Sequence, residues 1–187
     1  NLLLKFGFEP TENQRFQLSY DRLEDSGDYT QRPDMGVLTN QAITGDILLP
    51  TEYTRETINA SYALDLSDAF RLMATYFTND LELMRDETNP NVRVQGGNTR
   101  KRATSDNQGA NIMAQSDLFW GSVGHSLKYG VQYFEQKLSF DSDLDSANNI
   151  IDQSSESIAL FLEDEIAINN QFRLRPGVRV VDQEITY

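Results

Sequence analysis

The chain has 187 residues, enough for one domain with a sizeable core, and it carries 16 Lys and Arg against 29 Asp and Glu, for a formal net charge of −13. This balance excludes a basic surface for non-specific nucleic-acid binding, the lack of cysteine excludes disulfides and thiol catalysis, and the single histidine excludes a multi-histidine metal site. With a mean hydropathy of −0.53 and no apolar run near the roughly 20 residues of a membrane helix, hydropathy alone indicates a soluble protein. Membrane β-barrels escape this measure because their strands show only alternation.

A hydrophobic period of two, typical of half-buried strands, recurs along the whole chain. In Arg15–Arg22, for example, Phe16, Leu18 and Tyr20 alternate with polar residues. The pattern predicts about eight strands. In chain order they are Leu2–Phe8, Arg15–Arg22, Thr57–Asp65, Phe70–Phe77, Asn111–Trp120, Leu127–Tyr133, Ser157–Ile168 and Phe172–Val180.

The predicted connections alternate between short turns and long polar stretches, which indicates an antiparallel up-and-down meander. The short ones are Glu9–Gln14, Leu66–Ala69, Gly121–Ser126 and Asn169–Gln171, and the long ones are Glu24–Glu52, Asp86–Gln108 and Asp141–Glu156. Outer-membrane barrels show this asymmetry, with short periplasmic turns and long extracellular loops. One strand face carries charges of both signs, whereas the other is nearly charge-free apart from Asp164. Because alternation does not say which face is inside, a soluble β-barrel that binds a small ligand stays open.

Three stretches resemble TonB-dependent outer-membrane receptors. Asn1–Arg22, NLLLKFGFEPTENQRFQLSYDR, is similar to the strand–periplasmic turn–strand unit that follows the plug of these receptors. His125–Tyr133, HSLKYGVQY, is similar to their H-x-L-x-Y-G-x-x-Y strand. Ile158–Val181, IALFLEDEIAINNQFRLRPGVRVV, resembles their recurring F-x-x-D-E-I…L-x-P-G-x-R hairpin. The opening LLLKFGFEP is similar to the haem receptor branch of the family.

The resemblance implies an all-β, antiparallel up-and-down transmembrane β-barrel, of which residues 1–187 supply about eight strands out of about 22 closed around a plug. The plug domain, the TonB-interacting box and the C-terminal strands are then expected outside the chain. The resemblance also implies a bacterial outer-membrane location, contact with lipid and lipopolysaccharide, and TonB-energised uptake of an iron complex, either a ferric siderophore or haem. No intrinsic cofactor is expected. A complete small eight-stranded outer-membrane barrel with a structural, adhesive or lipid-related role is the alternative.

Two tyrosines in or beside the first long connection are candidate substrate contacts. Haem iron accepts His or Tyr as an axial ligand. Tyr29 and Tyr53 are better placed for this than His125, which falls in a predicted short periplasmic turn. For His125 the sequence favours a turn hydrogen bond.

The second long connection contains a basic run, Arg100, Lys101 and Arg102. Such a run could attract an anionic substrate such as a ferric siderophore or haem propionates, or the phosphates of lipopolysaccharide. The alternative is a solvated loop with no ligand.

The third long connection contains an acidic series, Asp141, Asp143, Asp145 and Asp152, with spacing similar to a calcium loop. Ser146 stands where that loop has a turn glycine, so weak Ca²⁺ binding competes with the interpretation of a solvated acidic loop. No nucleophile elbow, phosphate-binding loop or dinucleotide fingerprint is present in the sequence, and we predict that the protein is not an enzyme.

Overall fold

The computed structural model describes residues 1–30, 48–86, 100–142, 151–169 and 171–187. Nearly all of these residues lie in one antiparallel sheet. Its strands are β1 (Leu2–Thr11), β2 (Gln14–Thr30), β3 (Leu48–Ser67), β4 (Phe70–Asp86), β5 (Arg100–Trp120), β6 (Val123–Ser142), β7 (Ile151–Ala167), β8 (Arg173–Leu174) and β9 (Gly177–Thr186). Consecutive strands are hydrogen-bonded neighbours from β1 to β8, and β9 pairs with β7. This order confirms the predicted all-β up-and-down fold. Within the described ranges, no helix is long and apolar enough to cross a bilayer.

The strands β8 and β9 share one position in the sheet, because both pair with β7. The break between them falls at Arg175 and Pro176. Proline has no N–H to donate to the ladder, so it interrupts a strand without ending the sheet. The carbonyl of Pro176 still accepts from the N–H of Asp164 at 3.0 Å. The nine described strands therefore fill eight positions, in agreement with the prediction.

The strands are longer than the sequence pattern predicts. β3, β5 and β6 have 20, 21 and 20 residues, and their ladders continue into stretches predicted as long loops. β2 and β3, for instance, remain paired as far as Thr30 and Leu48. Hydrophobic alternation does not reveal these extensions because the face that is apolar mid-strand becomes polar there, and the apolar side chains that remain, such as Leu138 and Phe140, lie on the opposite face. The ladder itself needs only backbone N–H and C=O groups. Tyr29 and Tyr53 accordingly lie on strands and not in a loop.

Side-chain alternation gives the sheet two faces, which we call the belt face and the polar face. The belt face takes the even-numbered residues of β1–β5, and the register carries it to the odd-numbered residues of β6 and the even-numbered residues of β7 and β9. Apolar side chains cross every strand position on this face. They include Phe6, Leu18, Ala60, Tyr76, Ile112, Val131, Leu160 and Val180. The polar face takes the remaining positions.

Beyond the apolar belt, on the side of the long connections, the belt face becomes strongly acidic. The acids there include Glu24, Glu52, Glu56, Asp80, Glu82, Asp106, Glu135, Asp141, Asp152, Glu156, Asp182 and Glu184. Lys137 Nζ lies 2.7 Å from Glu135 Oε1. This contact, with hydrogen bonds from Gln108 and Tyr133, lowers the pKa of Glu135 to about 2. The acids of these extensions explain how a chain with negative mean hydropathy carries a continuous apolar belt.

Two glycines on the polar face make room for aromatic rings of neighbouring strands. Gly109 lies between Phe77 and Phe134 in one cross-strand row, and the two ring centroids are 6.3 Å apart. A Cβ at Gly109 would lie 2.6 Å from the Phe77 ring. At Gly130 a Cβ would lie 2.9 Å from the Phe161 ring, closer than real contacts allow. These rings lie across the strands only because the glycines lack side chains.

Candidate functional site

Three of the predicted substrate residues share the polar face near the long connections. Tyr29 lies on β2 and Tyr53 lies on β3, where Tyr53 is directly opposite Asp25. Lys101 lies on β5, directly opposite Arg85 of β4. Opposite residues of an antiparallel pair have Cβ atoms about 5 Å apart, so these groups form adjoining parts of one wall.

Tyr29 is held as a hydrogen-bond donor. Its hydroxyl donates to the carboxylate of Asp25, and this hydrogen bond is the main cause that raises the pKa of Tyr29 above its ordinary value. This contact favours the neutral form of the phenol. The single O–H of Tyr29 is therefore directed to Asp25 and is not offered to a ligand.

Alternation divides the basic run between the two faces. Arg100 and Arg102 lie on the belt face, while Lys101 lies on the polar face. Arg100 Nε is 3.5 Å from Asp86, and Arg102 makes a two-pronged contact with both carboxylate oxygens of Glu82, each at 2.9 Å. The structure therefore does not bring the three bases together. The prediction placed them in a loop, where alternation does not apply, and the extension of β5 to Arg100 removes that premise.

Two further bases, Arg55 and Arg85, join Lys101 on the polar face. Arg55 Nη2 is 3.8 Å from Asp21, and its Nε is buried without a hydrogen-bond partner. Sequence reasoning missed both because they stand alone on separate strands. The signal that could have found them is their parity along extended strands, which places both on the polar face, with Arg85 directly opposite Lys101 and Arg55 in the row of Leu81 and Ser105. We call the set Tyr29, Tyr53, Arg55, Arg85 and Lys101 the basic–aromatic patch.

The patch offers cationic and hydroxyl donors on a rigid sheet. Guanidinium and ammonium groups form strong, charge-assisted hydrogen bonds with carboxylate, catecholate or phosphate oxygens. Further along the same face, the Phe77 and Phe134 rings add an apolar surface. The arrangement of bases and hydroxyl can therefore bind an anion that presents carboxylate, catecholate or phosphate oxygens.

The predicted calcium ligands are only partly within the described residues. Asp143 and Asp145 lie outside them. Asp141 on β6 is opposite Arg102, Asp152 lies on β7, and both are on the belt face. In the parts of the chain that the structure describes, no group of three or more His, Asp or Glu could hold a metal ion. The calcium loop stays a prediction.

His125 lies in β6 and not in a turn, because the turn after β5 contains only Gly121 and Ser122. The left-handed backbone of Gly121, with φ of 65°, makes that tight turn possible. Nδ1 of His125 is 2.7 Å from Oδ2 of Asp164 on the belt face. Their side chains are 22% and 19% exposed, and the other carboxylate oxygen of Asp164 is buried without a partner. The pair joins β6 to β7 within the apolar belt.

Charges of both signs line the polar face near the short turns, as the sequence predicts. Arg71 Nε is 3.4 Å from Asp65. Glu165 accepts from Arg173 at 2.9 Å and from Arg175 at 2.7 Å. A face lined by such pairs suits water or another polar surface and does not suit lipid.

Solved structures similar to this one are outer-membrane receptors and transporters. The ferric preacinetobactin receptor BauA from Acinetobacter baumannii matches 98% of this chain with a TM-score of 0.70 and 12% identity, over 34% of its own length. The ferric-catecholate import receptor Fiu from E. coli K12 matches 98% of this chain with a TM-score of 0.68 and 13% identity, over 34% of the length of Fiu. The ferric citrate transporter FecA matches 98% of this chain with a TM-score of 0.69 and 17% identity, over 29% of the length of FecA. The chain thus spans about a third of the receptors it matches. No curated protein matches it.

A family model gives the same assignment from sequence. The model described as TonB dependent receptor-like, beta-barrel, matches residues 5–187. In barrels of this kind the apolar band faces lipid, so the belt face meets the bilayer and the polar face lines the lumen. The chain belongs to the TonB-dependent receptor β-barrel family, and it is a protein of the bacterial outer membrane.

Proposed function

We propose that the chain forms consecutive wall strands of a receptor that takes up an iron complex with energy from the TonB system, and that the complex is a ferric siderophore. The observation that carries this proposal is the basic–aromatic patch on the luminal wall near the long connections. The similar solved structures support it, since all three are named for ferric complexes.

The open sheet supports a larger barrel than the chain alone provides. In lipid every backbone group needs a partner, so a spanning sheet must close. β1 pairs only with β2, and β9 pairs only with β7, among the described strands. A complete small barrel would need β1 to pair with β9. We therefore propose that the closing strands, the C-terminal ones included, lie outside this chain, and the family resemblance implies the same for the plug domain.

The patch would act at the entrance of the lumen. Its cations raise the local concentration of an anionic chelate and orient its oxygens. The hydroxyl of Tyr53 adds a hydrogen bond. The energised movement of the plug would then open a path past the charged pairs near the short turns. No step requires a catalytic group of this chain.

Removing the luminal bases should weaken uptake. We expect Arg85→Gln/Lys101→Gln in the complete receptor to raise the half-saturating concentration of its ferric siderophore roughly tenfold, since losing charge-assisted hydrogen bonds worth about 1.4 kcal/mol corresponds to a factor of ten. The measurement is uptake of radioactive iron by iron-starved cells supplied in turn with ferric catecholate, ferric hydroxamate, ferric citrate and haem.

The matched control is Arg100→Gln/Arg102→Gln, which removes two bases of the same strand from the opposite face. This control should leave uptake unchanged, and cells lacking TonB should show none. Equal loss in both double variants would contradict the role of the patch. Uptake that does not depend on TonB, or uptake of haem alone, would overturn the proposed function.

A further inference from the structure

Beyond the apolar belt, on the side of the long connections, the polar face of β4, β5 and β6 carries large apolar side chains. Leu81 and Leu83 lie on β4, and Leu138 and Phe140 lie on β6. Leu138 and Phe140 are each 37% exposed. At this level the outer surface is acidic, so the arrangement of the belt is reversed and apolar groups face the lumen. Exposed apolar groups that face water mark a binding surface.

Small side chains on β5 turn this apolar surface into a slot. Ala103 lies between Leu83 and Phe140 in one cross-strand row, and Ser105 takes the same central position in the next row, between two leucines. Since β4 and β6 are about 10 Å apart, their side chains form the sides of the slot and leave room for a single hydrocarbon chain along β5. We call this feature the apolar slot, and its residues are Leu81, Leu83, Ala103, Ser105, Leu138 and Phe140.

The two ends of the apolar slot differ in charge. At the end towards the long connections, Lys101 follows on β5, directly opposite Arg85 of β4. Within the described parts of β4, β5 and β6, these two bases are the only charged residues on the polar face from this end as far as Asn107. At the other end, Asn107 donates to the Ser105 hydroxyl at 3.1 Å, which provides a partner for the one polar side chain of the floor. The slot therefore joins a cationic end to an apolar interior.

We propose that the transported ferric siderophore carries an acyl chain, which lies in the apolar slot while the anionic iron-binding head pairs with Arg85 and Lys101. The inference rests on the proposed function and names the class of siderophore. A catecholate ring carries its iron-binding oxygens on the ring itself, so such a ring in the slot would bury charged oxygens between leucines. An acyl chain attached to the head avoids this, because the chain is buried among apolar groups and the head keeps its charge-assisted hydrogen bonds.

The test compares two forms of each of two anionic siderophores. Ferric tris-catecholate and ferric citrate bis-hydroxamate are each prepared with an acetyl group and with an octanoyl group, and uptake of their radioactive iron is measured in iron-starved cells that produce the complete receptor. For a head that the receptor transports, the half-saturating concentration should be roughly tenfold lower for the octanoyl form, since the slot removes methylene groups from water. Cells lacking the receptor give the background that arises when an acyl chain enters the membrane.

Two variants and a control separate the slot from its cationic end. Ala103→Leu fills the floor and should reduce the advantage of the octanoyl form from roughly tenfold to about twofold. Arg85→Gln/Lys101→Gln should weaken uptake of the acetyl and octanoyl forms by the same factor. The matched control is Thr104→Leu, which adds bulk one residue further along β5 on the belt face and should keep the full advantage.

Heat-modifiable migration in gels shows which variants are folded, and the comparison of acetyl and octanoyl forms on the unaltered receptor needs no variant. Equal half-saturating concentrations of the two forms would overturn the inference, and a plug segment that occupies the slot would give this result. Full octanoyl advantage in a folded Ala103→Leu variant, its loss in Thr104→Leu, or no uptake of either anionic head would also overturn it. The proposed function fails separately, when no ferric siderophore of any class is taken up in a TonB-dependent manner.

Discussion

Leu18→Arg should strongly destabilise the complete receptor, whereas Gln17→Arg, one residue earlier on β2, should be tolerated. Leu18 lies in the belt, directly opposite Phe6 and Ala60, and is 49% exposed. Arginine on the lipid face of a membrane barrel costs roughly 2–4 kcal/mol near the midplane. Gln17 lies on the polar face opposite Ser61, where the lumen solvates a charge.

The two variants add the same charge to neighbouring positions, so each controls for the other. The measurement is the free energy of unfolding by urea in lipid bilayers, with heat-modifiable migration as a check of folding. We expect a loss on the order of 3 kcal/mol for Leu18→Arg and less than about 0.5 kcal/mol for Gln17→Arg. Equal losses, or a larger loss for Gln17→Arg, would contradict the assignment of the two faces.

His125→Leu should destabilise the receptor even though leucine suits the bilayer better than histidine. The substitution leaves the Asp164 carboxylate without the contact that His125 provides at 2.7 Å, and its other oxygen already has no partner. Removing the hydrogen-bond partner of a partly buried carboxylate lowers the free energy of unfolding by about 2 kcal/mol. The measurement is again urea unfolding in bilayers.

The double variant His125→Leu/Asp164→Leu separates the loss of a partner from the loss of the histidine itself. Replacing both members of a half-buried pair by apolar residues is often neutral, so we expect stability near that of the unaltered receptor. A double variant as unstable as His125→Leu would show that the pair contributes nothing through its contact.

The wall itself could be predicted from sequence because lipid on one side and water on the other impose a period of two. Phe16, Leu18 and Tyr20 show that period, and in the structure their side chains lie on one face of β2, as predicted. The family resemblance rests on the same strands, and it is confirmed over residues 5–187. The number of strand positions follows as well, since each turn and each apolar segment leaves a local signal.

The strand ends beyond the apolar belt, on the side of the long connections, could not be predicted in the same way. Beyond the belt the belt face becomes acidic, and the apolar side chains that remain, such as Leu138 and Phe140 of β6, lie on the opposite face, so the alternation of the belt does not continue along the strands. That hidden extension is why Arg100 and Lys101 look like one cluster in sequence but lie on opposite faces. It is also why Arg85, which stands far from Lys101 in sequence, escaped notice. Their association depends on the register of β4 and β5.

The central claim, that each strand presents one face to lipid and the other to the lumen, can be tested along β2. Because the chain has no cysteine, single cysteines at positions 16–20 can carry a fluorophore once any cysteines elsewhere in the complete receptor are replaced. The measurement is fluorescence quenching in bilayers by nitroxide attached to lipid tails and by a water-soluble quencher. We predict strong lipid quenching at Phe16, Leu18 and Tyr20 and weak lipid quenching at Gln17 and Ser19. Uniform quenching along the strand, or strong lipid quenching at Gln17 and Ser19, would contradict the claim.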